Sequence, residues 1–439
     1  MPTSQLLQLP EDKAARLSHY LFRYPAKFHP PVIRTLLERF TSDGDTVLDP
    51  FVGSGTMLVE AATINRNGIG LDVDPVAVAV ARAKVQRFGS GALKKSASTV
   101  LRDIEIHERS TDCYSEFKFA DLSDEEYEKC KNDPRLFIPS IPNLDHWFRR
   151  YVVVDLARIR VAVLEADIPQ THKNFLMIVF ASIIRNASNA DPVPVSGLEV
   201  TSHMRRLDAE GRQINPFELF RKALRNSIGA SDAYRSATTG SRTSQVAKIC
   251  DATQLRDARI GKVDAVITSP PYHGAVDYYR RHQLEMFWLG YTESQKERLA
   301  LLPKYIGRPK VPRSDPTISK HSLQTPLAIE WNKKISAVSP ERALAFQHYV
   351  ISMTSVFGEL SQVLNEGSPA VLVVGNSGWN GSEIPTVDLF DEISASDFEV
   401  SEVLHYPIKN RYMSYKRHND ADIAQEHVLV LRRSPSRPA

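Results

Sequence analysis

The sequence predicts an α/β protein: a doubly wound, mostly parallel sheet interrupted by a large, mostly helical insertion. Three observations predict it. Short apolar strands alternate with helices from Thr46 to Val85, the alternation stops between about Gly89 and Val246, and it resumes at Ala247. Strand–helix repeats with short links wind a parallel sheet, because each crossover helix covers one of its faces.

The elements follow in order. Thr46–Asp49 reads as a strand and Met57–Ala62 as the helix after a glycine turn. Ile69–Asp72 is a second strand. Asp74 then caps a helix through Val85, with Pro75 at its first position, where a missing amide costs nothing. Inside the insertion, Tyr151–Leu164 and Asn174–Ile184 read as helices. A further helix starts at Asn215-Pro216, with Phe217, Phe220, Leu224 and Ile228 on one side and Arg221, Lys222 and Arg225 on the other. Ala247–Asp251 and Val263–Thr268 return to strand. The stretch from Leu301 to Ser339, rich in Pro, Lys and Arg, reads as a long loop. Ser339-Pro340 caps a helix to about Leu364, and Ala370–Val374 and His427–Arg432 are the last strands. The parse is a discontinuous sheet domain, residues 1–90 and 247–439, with residues 91–246 inserted between its second and third strands.

The 439 residues allow two domains, or one with an insertion. Hydrophobic content of 42% and charged content of 24% are those of an ordinary globular protein. A net charge of +3 permits a nucleic-acid partner without demonstrating one. Cys113, Cys130 and Cys250 have no metal-ligand spacing and cannot all pair, so a reducing compartment and no metal are expected. There is no basic-then-apolar leader, and no apolar run reaches the roughly 18 residues of a membrane span. A soluble, cytoplasmic protein with no membrane partner is expected.

Two runs carry chemistry. In the first, Asp49-Pro50-Phe51-Val52-Gly53-Ser54-Gly55-Thr56, an acid ends a strand and glycines open a helix. Glycines let a ligand approach the backbone at the strand ends, where doubly wound sheets bind nucleoside-bearing cofactors. Asp72 ends the next strand, where a carboxylate can accept from both ribose hydroxyls. The full dinucleotide pattern is missing, no Lys follows the glycines, and an acid beside them suits a cationic ligand better than a pyrophosphate. A tight glycine turn without any ligand stays open on this segment alone.

The second run, Ser269-Pro270-Pro271-Tyr272, follows the apolar strand Ala265-Val266-Ile267. Consecutive prolines hold the backbone extended and remove two amide donors. The Pro270 carbonyl and Ser269 hydroxyl can then accept from an exocyclic amine, while Tyr272 stacks on the base that carries it. Such an amine is a poor nucleophile because its lone pair is delocalised, and two acceptors gripping its hydrogens favour a pyramidal nitrogen. The alternative is a polyproline ligand or a plain loop. His273 and His282 read as structural, whereas Asp277 can order the corner.

Together these residues resemble the S-adenosylmethionine-dependent DNA amino-methyltransferases that make N4-methylcytosine or N6-methyladenine. Asp49 to Thr56 looks like their cofactor motif and Thr268 to Tyr272 like their catalytic motif. Tyr24-Pro25-Ala26-Lys27-Phe28-His29-Pro30 resembles the segment capping the methionine end of the cofactor, and Cys250-Asp251-Ala252 the strand end that meets its adenine. Gly375-Asn376-Ser377 and Glu426 to Leu431 match later strands. The resemblance covers residues 19–90 and 247–433. It implies a Rossmann-like methyltransferase sheet that binds S-adenosylmethionine through Lys27, Phe28, Asp49, Phe51, Gly53, Gly55, Thr56, Asp72, Asp251 and Ala252. Ser269, Pro270, Pro271 and Tyr272 would act on the base. The Ser form is the one associated with cytosine N4, although the cofactor motif precedes the catalytic one, unlike the order common among those enzymes.

The implied substrate is double-stranded DNA with a flipped base, in a restriction-modification setting with a cognate endonuclease. Insertion residues 91–246 are expected to read the target through Arg205 and Arg206, while Arg308, Lys310 and Arg313, with Lys304 and Lys320, meet phosphates. Arg411, Lys416, Arg417 and His418 form another basic cluster. Adenine N6, an RNA base, and a cofactor-binding regulator without catalysis are the alternatives.

Overall fold

A computed structural model describes residues 2–10, 16–24, 27–109, 121–192, 198–274, 278–380, 382–408 and 425–435. Its strands are β1 (Gln5–Leu6), β2 (Thr46–Asp49), β3 (Asn67–Asp72), β4 (Gln245–Ile249), β5 (Ala265–Thr268), β6 (Pro369–Val374), β7 (Ser377–Trp379), β8 (Ser382–Ile384), β9 (Phe398–Pro407) and β10 (Gln425–Arg433). Eight of them form one sheet in the order β1-β9-β10-β6-β5-β2-β3-β4, while β7 and β8 pair separately. Neighbours from β4 across to β6 run parallel, and β10 is antiparallel to both β6 and β9. The chain winds outward from β2 through β3 to β4, then returns to lay β5 on the other side of β2. That reversal opens a crevice beyond the carboxyl ends of β2 and β5.

Alternation along the strands supplies both faces of the core. Val47, Ala265, Ile267, Val371 and Val373 point one way, against α1 (Pro30–Phe40), α2 (Thr56–Thr63) and α3 (Pro75–Val85). Leu48, Val266, Ala370 and Leu372 point the other way. Between β3 and β4 the described residues are mostly helical, with α4 (Ala92–Arg109), α5 (Arg150–Glu165), α6 (Gln170–Ala187) and α7 (Pro216–Ala237) among their elements. These helices share one core with Leu21, Phe22, Val76 and Val80 and with Leu284–Trp288. Asn215 caps α7 by accepting from the Glu218 amide, and Phe217, Phe220 and Leu224 are its buried stripe.

One expectation is corrected. The stretch from Leu301 to Ser339 is not a single loop: it contains helices Pro316–Lys320 and α8 (Pro326–Val338). The signals are the ones that mark α3, namely Asp315 accepting from the Thr317 amide and Pro at the first helical position. In α8, Ala328, Trp331 and Ile335 form a buried stripe against α9 (Pro340–Val363), and Phe390 of α10 (Thr386–Ser394) lies in the same core. Strands β1 and β9 are additional to the sequence reading. No helix among the described residues is long and apolar enough to cross a membrane.

Candidate active site at the strand ends

Asp49, the last residue of β2, is 2% exposed. Its Oδ1 accepts from Thr268 Oγ1 at 2.6 Å and from the Phe51 amide at 3.1 Å. Asp72 ends β3 and accepts from the amides of Gly53 at 2.9 Å and Asp74 at 3.0 Å. Burial pushes both carboxyls up to about 7, offset at Asp49 by the Thr268 bond and reinforced at Asp72 by the Asp74 charge. Asp251 follows β4 and accepts from the amide and hydroxyl of Thr253.

These three acids line one cavity of about 840 Å³, counted out to its open mouth. Lys27, Phe28, Phe51, Gly53, Thr56 and Ala252 also line it, as do Ser269 and Pro271. Strand β5 ends beside β2, so the Ser-Pro-Pro-Tyr corner emerges at the lip of the pocket that the first motif builds. Gly53 and Gly55 turn the chain with φ of 46° and 77°, values that L side chains rarely adopt. Gly55 does not line the cavity: a Cβ there would lie 2.9 Å from the Cα and Cβ of Ala81, so its role is to let α2 approach α3.

Further contacts complete the pocket's walls. Tyr24 lies against Gly53, 3.2 Å from where a Cβ would stand, and its ring centroid is 4.9 Å from that of His282. His282 Nδ1 meets Asp74 Oδ2 at 2.6 Å, while Asp74 Oδ1 caps α3. Burial opposes charge on His282, but the Asp74 carboxylate outweighs it and holds the imidazole above its ordinary value. Lys304, Tyr305 and Ile306 close another wall, and Gly307 lies against the Tyr272 carbonyl. Lys27 donates to the His19 carbonyl at 3.3 Å, and burial pushes its ammonium down to about 8.

The corner divides in two. Ser269 and Pro271 face the cavity; Pro270 is buried. Tyr272 turns toward β10, donating its hydroxyl to Glu426 Oε1 at 2.7 Å. Burial, with the Glu426 charge beside it, holds the Tyr272 phenol well above its ordinary value. His273 packs on Phe346 and Tyr349, and burial pushes its imidazole down to about 4, in keeping with a structural histidine. Asp277 lies outside the described residues.

The basic candidates scatter. Arg205 and Arg206 are exposed on helix Ser202–Ala209. Lys310 and Arg313 are exposed, and Lys310 Nζ is 3.8 Å from Glu341. Arg308 is corrected: it is 6% exposed and paired with Asp315, so its guanidinium anchors the loop instead of reaching a phosphate. Arg411, Lys416, Arg417 and His418 lie outside the described residues.

The cavity suits a nucleoside-bearing cation. It presents three carboxylates with lone pairs to spare, and the hydroxyls of Ser54 and Thr56, both in its lining, are buried with no hydrogen-bond partner among the described residues.

Residues 4–83 match the DNA methylase family of the N6/N4 type. The Type II methyltransferase M.MvaI of Kocuria varians is 24% identical over 407 residues, covering 89% of this chain and 84% of that protein. M.MjaII of Methanocaldococcus jannaschii is 24% identical over 371 residues, 69% of this chain and 67% of its own length. M.BsoBI of Geobacillus stearothermophilus is 23% identical over 457 aligned positions, 95% of this chain and 84% of that protein. With the winding of the sheet and the two motifs meeting at its switch point, these likenesses support an S-adenosylmethionine-dependent DNA amino-methyltransferase of the N4/N6 type.

Proposed function

We propose that the protein methylates the exocyclic N4 amine of a cytosine flipped out of a specific double-stranded DNA sequence, within a restriction-modification pair. One observation carries the reading: Ser269 and Pro271 line the same cavity as Asp49, Asp72 and Asp251. Residues suited to gripping an amine and residues suited to holding a nucleoside thus open onto one space.

S-adenosylmethionine, when bound, supplies an electrophilic methyl group. Asp72 would accept from its ribose hydroxyls, Asp251 and Ala252 would meet its adenine, and Lys27, Phe28, Asp49, Phe51, Gly53 and Thr56 would hold the remainder. At the corner, the Ser269 hydroxyl and Pro270 carbonyl accept from the target amine, which localises its lone pair on nitrogen; the methyl group would pass to that nitrogen as the sulfonium's carbon–sulfur bond breaks and leaves a neutral thioether. The methylated nitrogen then loses a proton to water, so no general base is required. The Tyr272 ring supports the flipped base. Helical residues 91–246 carry Arg205 and Arg206 for reading DNA, and Lys310 and Arg313 neutralise phosphates.

The test is nucleoside mass spectrometry of DNA incubated with the purified protein and S-adenosylmethionine. N4-methylcytosine is the expected product. N6-methyladenine overturns the base assignment and keeps the chemistry; absence of any methylated DNA base overturns the reading.

A further inference from the structure

We propose that Glu426 is a positioning residue for methyl transfer, fixing the Tyr272 ring by gripping its phenol; this rests on the function proposed above. Glu426 lies on β10 directly opposite Tyr406 of β9. Its neighbour His427 pairs with Val374, the last residue of β6. Glu426 therefore stands one step beyond the β6 end, level with the rim where the Ser-Pro-Pro-Tyr corner leaves β5. Its Oε1 accepts from the Tyr272 hydroxyl at 2.7 Å. Its other oxygen, Oε2, accepts from the hydroxyl of Tyr406, a residue only 4% exposed.

The arrangement is a carboxylate held by one phenol of its own sheet and presented to a second from the catalytic corner. The two prolines before Tyr272 limit its backbone. What remains free is rotation of the ring about its side-chain bonds, and a bond at the far tip of the ring removes that freedom. With the hydroxyl committed to Glu426, the face of the ring is the part left to meet a base. The hydroxyl is no candidate for proton transfer, since burial keeps it protonated.

Glu426→Ala and Tyr272→Phe break the same bond from its two ends. Each is expected to lower kcat by about 10- to 100-fold through misplacement of the ring, with S-adenosylmethionine affinity near wild type; Glu426→Ala also leaves the Tyr406 hydroxyl without its acceptor and lowers the melting temperature. The double variant is expected to be no worse than either single one. Glu426→Gln keeps one accepting oxygen and offers an amide donor to the other phenol, so it is expected to restore most of the rate. Tyr272→Ala, which removes the ring, is expected to fall below all four. The proposal is overturned if Glu426→Ala stays within about twofold of wild type, or if the losses of the two single variants multiply.

A second readout needs no turnover. In protein labelled with 13C at the tyrosine Cζ position, the Tyr272 signal is identified by its disappearance in Tyr272→Phe. Glu426→Ala should shift that signal; an unmoved signal contradicts the contact whatever the activity. Wild-type protein that methylates no DNA contradicts the functional reading itself, and adenine as the product base leaves the clamp standing.

Discussion

Thr268 donates its hydroxyl to Asp49 at 2.6 Å, joining two motifs that lie 219 positions apart in the chain. The two strands that carry them pair in parallel, with Val47 opposite Ala265 and Leu48 opposite Val266. The bond ties the acid that opens the first motif to the residue immediately before the Ser-Pro-Pro-Tyr corner. Thr268→Val keeps the shape and leaves a buried carboxyl with one partner fewer. It is expected to cost about 1–3 kcal/mol, read as a lower urea midpoint, and to raise the Asp49 pKa further.

Cofactor affinity should depend on pH. Asp49 and Asp72 have pKa values pushed up to about 7, above their ordinary 3.8. Between these values the folded protein binds more protons than the unfolded chain, so the ligand-free protein loses stability as pH rises through that window. A cationic, hydrogen-bond-donating ligand favours the ionised carboxylates. Calorimetric titration is therefore expected to show S-adenosylmethionine affinity rising about tenfold per carboxylate from pH 5.5 to 7. Above that range the ligand's own amino group begins to lose charge. Asp72→Asn should flatten part of the rise.

Gly55→Ala meets two obstacles. The residue sits at φ 77°, and its new Cβ would lie 2.9 Å from Ala81 backbone and side chain. The left-handed conformation alone costs about 1–2 kcal/mol, and the contact forces α2 and α3 apart. Thermal melting should show a loss larger than the conformational cost, whereas Gly91→Ala, at φ 71° with open space around it, should show that cost alone.

Lys84 is 1% exposed, and its Nζ has no hydrogen-bond partner among the described residues. Burial, with the Lys27 charge next, pushes its ammonium well below the ordinary value. Lys84→Met removes an unsatisfied buried group and is expected to stabilise by about 1–3 kcal/mol at pH 7. The depressed pKa means that wild-type stability rises with pH until the unfolded lysine also loses its proton. The gap between variant and wild type should therefore narrow toward pH 10 in denaturant titrations.

Much of this architecture was legible in the chain. Asp74-Pro75 announced α3, and apolar runs ending in Asp49, Asp72 and Thr268 marked strands whose carboxyl ends build the pocket. Strand β9 was not legible, because its register with β10 shifts between Val430 and Leu431 and its exposed positions carry Glu399 and Ser401. The helices after Leu301 were hidden by their Pro and Lys content, although Asp315-Pro316 and Thr325-Pro326 carry the capping pattern. At the site, local motifs exposed the acids and the corner. The contacts Tyr24–Gly53, His282–Asp74 and Tyr272–Glu426 pair residues far apart in the chain, which no local pattern reports. Arg308 shows the converse: a basic loop residue reads as a surface contact until its partner, Asp315, is seen.

The proposed function requires that the strand-end cavity and the Ser-Pro-Pro-Tyr corner form one site with divided labour. The most direct measurement follows transfer of a deuterated methyl group from S-adenosylmethionine to DNA, in wild type and Ser269→Ala, beside cofactor affinity for both. The variant is expected to lose at least about 100-fold in transfer while binding the cofactor within about threefold of wild type, because Asp72 and Asp251 are untouched. Undiminished transfer by Ser269→Ala, or loss of cofactor binding along with it, would contradict that division.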